Sequence, residues 1–79
     1  MKARIVVTLK TGVLDPQGKA IEAALKSFGI HDVDGVRQGK VFDVEVDVGD
    51  AAQAETILKT ACEKLLANTV VENYTIEIA

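Results

Sequence analysis

The pair Asp15-Pro16 most narrows what this chain can fold into. Proline has no N–H to donate and a fixed φ, so it suits the first position of a helix, and an aspartate just before it supplies the carboxylate of an N-cap. A helix begins there, and what comes before it is of another kind. Between Lys2 and Lys10, Ala3, Ile5, Val7 and Leu9 alternate with Arg4, Val6, Thr8 and Lys10, which is the period of a strand. Thr11 to Lys19 is therefore read as a strand-to-helix joint.

Beyond the joint, Ala20, Ile21, Ala24, Leu25 and Phe28 recur at helical spacing, an apolar stripe for one sheet face, and Gly29 suits a left-handed helix end. Ile30 to Gln38 reads as a strand without strict alternation, Gly35 lying between Val33 and Val36. Gln38-Gly39-Lys40 is expected to turn the chain into a hairpin, because Phe42, Val44, Val46 and Val48 then alternate with Asp43, Glu45 and Asp47. Asp50 caps a second helix, whose stripe is expected to be Ala54, Ile57, Leu58, Ala61, Cys62 and Leu65, with Leu66 off that face and Asn68 as a left-handed stop. Tyr74, Ile76 and Ile78 close the chain on a last strand within Val70 to Ile78.

The order βαββαβ predicts an α+β fold over residues 1–79 as one domain: a four-stranded antiparallel sheet with two helices on one face, ferredoxin-like. The strands that hold Arg4 and Asp43 are then neighbours of opposite charge. The helix-free face offers Val6, Val41 and Val71 as seeds for a partner. A chain of 79 residues buries only about 60% of its unfolded surface, so self-association is expected as well.

Composition removes several functions. A formal charge of −3 and an aromatic set of Phe28, Phe42 and Tyr74 argue against nucleic acid, which needs a basic stripe and stacking platforms. At 27% charged residues, membrane insertion is not expected either. Met1 leads straight into Ile5-Val6-Val7 without a charged leader and apolar core, so a cytoplasmic location is expected.

Candidate chemistry fares no better. Gly12 to Lys19 has the look of a phosphate loop, but five residues separate its glycines and Ala20 follows the lysine. Asp15 would also hold the positive end of the helix dipole. His31 has no companion ligand, and Cys62 falls on an apolar stripe, where cysteine acts as a small hydrophobe. Asp43, Glu45 and Asp47 are read as a solvated face in preference to a cation site. Neither catalytic, cofactor-binding nor metal-binding residues are assigned.

Leu9-Lys10 with Gly12-Val13-Leu14-Asp15-Pro16-Gln17-Gly18, then Val36-Arg37-Gln38-Gly39-Lys40, then Lys64-Leu65-Leu66-Ala67-Asn68 with Glu72-Asn73-Tyr74, closely resemble the PurS family. These are small subunits of phosphoribosylformylglycinamidine (FGAM) synthase. Thr69 departs from the proline usual in the family after the asparagine. The resemblance implies a subunit without an active site of its own, in the ATP- and glutamine-dependent conversion of formylglycinamide ribonucleotide to formylglycinamidine ribonucleotide. It further implies a homodimer or higher homo-oligomer joining a large synthetase subunit to a glutaminase subunit, with ATP and Mg on the large partner and a role in retaining ammonia.

Leu14, Asp15, Pro16 and Gly18, with Leu66 and Asn68, are the expected contact or contact-shaping residues. Gly18 lies in the first turn of a helix, where glycine lowers helix stability. A close approach to its backbone is therefore expected, and the resemblance implies another subunit as the approaching group. Two rival functions remain: a dimeric small-molecule-sensing domain, on fold analogy alone, and a stand-alone enzyme using Asp43, Glu45 or Cys62.

Overall fold

The first strand, β1 (Lys2–Leu9), is the middle of a three-stranded antiparallel sheet in a computed structural model that describes residues 1–13 and 15–79. Leu14 lies outside the described residues. On one side β1 pairs with β2 (Gly39–Glu45), from Lys2↔Glu45 to Thr8↔Gly39. On the other it pairs with β3 (Glu72–Ile78), from Ala3↔Ile78 to Leu9↔Glu72. Alternation puts Ala3, Ile5 and Val7 on one face, and all three are buried.

That face is covered by α2 (Ala51–Ala61), which starts at Asp50, whose carboxylate accepts from Ala52 N at 3.2 Å. Ala54, Leu58 and Cys62 point down from α2 onto the buried strand residues, with Phe42, Val44, Tyr74, Ile76 and Ile78 packed around them. Three features of the sequence-based picture are overturned here. The sheet has three strands instead of four. Only α2 covers it. Gln38-Gly39-Lys40 is not a hairpin turn, because Gly39 is already a strand residue opposite Thr8.

The reason lies in how glycine is used. The glycines with positive φ are Gly12 and Gly29, at +88° and +85°. Gly39 instead lets β2 approach β1, since a Cβ there would stand 2.6 Å from the carbonyl oxygen of Val7. Its neighbours Ile30 to Gln38 run without helix or ladder into β2, so the strand and hairpin expected there are absent.

The first helix, α1 (Pro16–Ser27), ends as predicted: Gly29 is left-handed and Ile30 N donates to Leu25 O at 2.9 Å. Its apolar stripe, however, does not lie on the sheet. Ile21 and Phe28 are exposed, and the chain stretches to 49 × 25 × 14 Å. The amphipathic pattern was legible, but the surface that receives it is not on this sheet.

The end of α2 holds another correction. Residues Cys62–Leu66 form a π-helical turn, closed by Ala67 N donating to Cys62 O at 2.9 Å. One extra residue per turn rotates the later side chains. Leu65, expected in the core, is 83% exposed, whereas Leu66 packs against the core in its place. Ile57 is also exposed. Asn68 is not left-handed, since no non-glycine residue among those described has positive φ; the helix stops because Ala67 is extended.

Candidate functional site

Asp15 is the structural centre of the joint. The residue is only 7% exposed. One oxygen accepts from Gly18 N at 2.9 Å, as an N-cap should, and the other accepts from Gln38 N, also at 2.9 Å. Arg37 stands beside it, with Nε 3.9 Å from Oδ2, and its guanidinium donates to the carbonyls of Leu9 and Lys10 at 3.1 Å each. The end of β1, the start of α1 and the residues before β2 are thus clasped together.

Gly18 completes the clasp. It is buried, and a Cβ on it would collide with the carbonyl oxygen of Val36 and stand 2.9 Å from an Asp15 carboxylate oxygen. The close approach expected from the sequence exists, and this chain's own Val36 carbonyl makes it. The charged carboxylate in the helix mouth also meets any anion with repulsion.

The Gly18 and Gln38 N–H groups hold the Asp15 carboxyl below the usual aspartate range, and Arg37 adds to the effect against the opposing pull of burial. A carboxyl lowered in the folded state contributes stability above its unfolded pKa, and that contribution is lost as pH falls through the lower folded value. Asp15→Ala is therefore expected to lower the melting temperature at pH 7 by roughly 4–8 °C, the shift that loss of a helix cap produces in a domain this small. The gap between parent and variant should shrink as pH falls below the ordinary aspartate value of 3.8. Paired melting curves at neutral and acid pH check both parts.

The other expected contact residues come to the same end of the sheet. Asn68 N donates to Glu72 Oε1 at 2.6 Å, and Glu72 Oε2 lies 3.5 Å from Lys40 Nζ. A shallow cleft of about 400 Å³ runs between Pro16, Gln17, Lys40 and Glu72. Pro16 and Asn68 are exposed, whereas Leu66 is turned toward the core. Arg37, Gln38 and Glu72 were missed as joint residues. The quoted Arg37-Gln38 motif held the signal, but its partners sit 22 to 28 positions away and only folding brings them together.

Arg4 Nε meets Asp43 Oδ1 at 2.9 Å, the neighbourhood that the sequence predicted for this pair. A larger open cleft of about 650 Å³ beside them mixes Lys2 and Arg4 with Asp43, Glu45 and Glu77. Cys62 is fully buried and burial pushes its thiol up, away from the nucleophilic thiolate. Burial likewise raises the Tyr74 phenol. His31 is exposed in the extended segment. Among the described residues, no group of three His, Cys, Asp or Glu is placed to hold a metal, and no helix is long and apolar enough to cross a membrane.

Comparison with known proteins adds a family-level finding. Residues 2–79 match the model of the family described as PurS, phosphoribosylformylglycinamidine (FGAM) synthase. The PurS subunit of Synechocystis sp. is 47% identical over 75 residues, covering 95% of this chain and 75% of that protein. The solved PurS of Bacillus subtilis superimposes with a TM-score of 0.87 at 43% identity, over 96% of this chain and 94% of the other. A chain in the structure of PurLQS from Thermotoga maritima matches with a TM-score of 0.88 at 38% identity, over 96% and 93% of the two chains.

Proposed function

The chain belongs to the PurS family, subunits of FGAM synthase in purine biosynthesis, and from that premise we propose that it is a joining subunit without an active site of its own. The observation that carries this reading is the match to a chain in the Thermotoga maritima PurLQS structure, with a TM-score of 0.88 over 96% of this chain. In this reading the protein acts in the cytoplasm as a homodimer or higher homo-oligomer. It holds a large synthetase subunit, where ATP and Mg reside, next to a glutaminase subunit, and helps retain ammonia between them.

Several features support the reading. Its one cysteine is sealed in the core, its one histidine stands alone, and its joint carboxylate is spent on backbone N–H groups. Meanwhile Leu65 and Val70 present apolar surface beside the 67–72 turn, and Phe28 does so at the far end of α1. Apolar exposure at both places suits a piece that touches more than one neighbour.

Reconstitution tests it. Synthetase and glutaminase subunits are assayed for glutamine-dependent product formation with and without this chain. A loss of coupled turnover without it, with glutaminase chemistry still possible, is expected. Undiminished coupled turnover would sink the proposal.

A further inference from the structure

We propose that Asp15 and Arg37 form a hinge lock: they hold residues 36–38 against the joint, and without them the chain closes at Gly39 into a hairpin that lays residues 30–37 on the outer edge of its own β2 and α1 beside α2. The inference concerns a second state of a single chain and does not rest on the joining role.

The lock fastens three consecutive residues. The Val36 carbonyl fills the place that a Cβ on Gly18 would need, Arg37 donates to the carbonyls of Leu9 and Lys10 at 3.1 Å each, and Gln38 N donates to Asp15 Oδ2 at 2.9 Å. All of these partners lie between the end of β1 and the first turn of α1. Gly39 pairs with Thr8 on the β1 side of β2. A hairpin turn at Gly39 must swing residues 36–38 to the opposite side of β2, so the contacts and the turn exclude each other.

The rest of the chain already suits the closed form. With the sheet order β2-β1-β3, the outer edge of β2 is where a strand that follows α1 completes the split βαβ arrangement. Ile21 and Phe28 on the α1 stripe are exposed, and Phe42 and Val44 on the sheet face are only half-buried. Closure removes both sets from water, which favours it. Gly39 is the swivel: the glycines with positive φ here are Gly12 and Gly29, but glycine at 39 can take the left-handed conformation of a turn without strain.

The two states differ greatly in shape. A compact chain of 79 residues has a radius of gyration of about 12 Å, whereas this one has 16.0 Å. What opposes closure is the chemistry of the lock. Asp15 is 7% exposed, and its carboxylate accepts from two backbone N–H groups with the Arg37 guanidinium beside it. Hydrogen bonds to an ionised acceptor are about twice as strong as neutral ones.

One substitution separates the lock from the helix cap. Asparagine caps a helix as well as aspartate does, so Asp15→Asn keeps the bond from Gly18 N on its amide oxygen. Its other terminal atom becomes an NH2 donor, and the groups it then faces, Gln38 N–H and the Arg37 guanidinium, are donors too. The cap survives and the lock is lost.

The test uses the full chain alone, so its failure leaves the joining role to the reconstitution assay. Spin labels are placed at Lys26→Cys on α1 and Glu55→Cys on α2, while Cys62 stays sealed in the core. Dilution with excess unlabelled chain of the same sequence makes double electron–electron resonance read the distance within one chain. The parent should lack the short label distance of helices packed side by side, whose axes lie about 8–10 Å apart. Asp15→Asn should show that distance as its main population, whereas Asp50→Asn, which alters the other cap, should keep the parent's distance. Arg37→Gln removes the lock from its other side and should act as Asp15→Asn does, so it decides the outcome if Asp15→Asn does not fold. The short distance in the parent, its absence from both lock variants, or an equal shift in Asp50→Asn would each overturn the hinge lock.

Discussion

Leu58→Ala is expected to lower unfolding stability by about 2–5 kcal/mol, the range for deleting a buried leucine and leaving part of its volume empty. Leu58 is 2% exposed and sits on α2 in the core cluster with Ala54 and Cys62. Its large buried companions are Ile5 and Val7, both fully enclosed. Its nearest core neighbours along the chain, Ala54 and Cys62, are too small to refill the space. Small domains have roughly 5–15 kcal/mol in total, so the loss should be visible as a large fall in the urea midpoint. Protein concentration must be held fixed, because association shifts apparent stability. A change under about 1 kcal/mol would mean that α2 is not seated on β1 as described.

Gly18→Val should cost about 1–3 kcal/mol and should also free the 35–38 segment. The added Cβ runs into the Val36 carbonyl and the Asp15 carboxylate, and the first of these is backbone that has no rotamer to change. Replacing glycine inside a helix ordinarily gains up to about 1 kcal/mol, so the sign of the result is informative. A gain would show that the close approach is absent. A loss accompanied by faster exchange at Gln38 N–H, which Asp15 holds at 2.9 Å, would show that the clasp has opened. The same substitution at an exposed helix glycine would lack that second readout.

Both results bear on how this chain divides its information. The joint was readable because its signals are local: an alternating strand, an aspartate cap and a proline act within a few residues of each other. The caps at Asp15 and Asp50 and the left-handed Gly29 follow from the same short-range preferences. Cys62 was placed in the core by periodicity alone, and it is there. Family membership was legible too, because motifs in order along the whole chain carry more than any one site.

The misplaced residues are those whose fate depends on a distant neighbour or a subtle count. Leu65 and Leu66 exchange roles because one π-helical turn shifts the later register, and nothing in a helical periodicity announces that shift. Gly39 looked like a turn glycine but serves a close strand crossing against Val7. The close approach that Gly18 called for comes from Val36, eighteen positions away, which no local pattern identifies.

By itself, then, the sequence determined β1, both helices with their caps, and the strands now seen as β2 and β3, since those follow from residue preferences over a few positions, whereas the strand expected at Ile30 to Gln38 did not form. Only the tertiary structure decided where the apolar sides go. Asp15, Arg37 and Gly39 hold the 35–39 segment extended along the joint, so α1 leaves its own sheet and the Asp15-Pro16 pair starts a helix that points away from the core. Periodicity specifies that a face must be covered, and long-range backbone geometry selects what covers it.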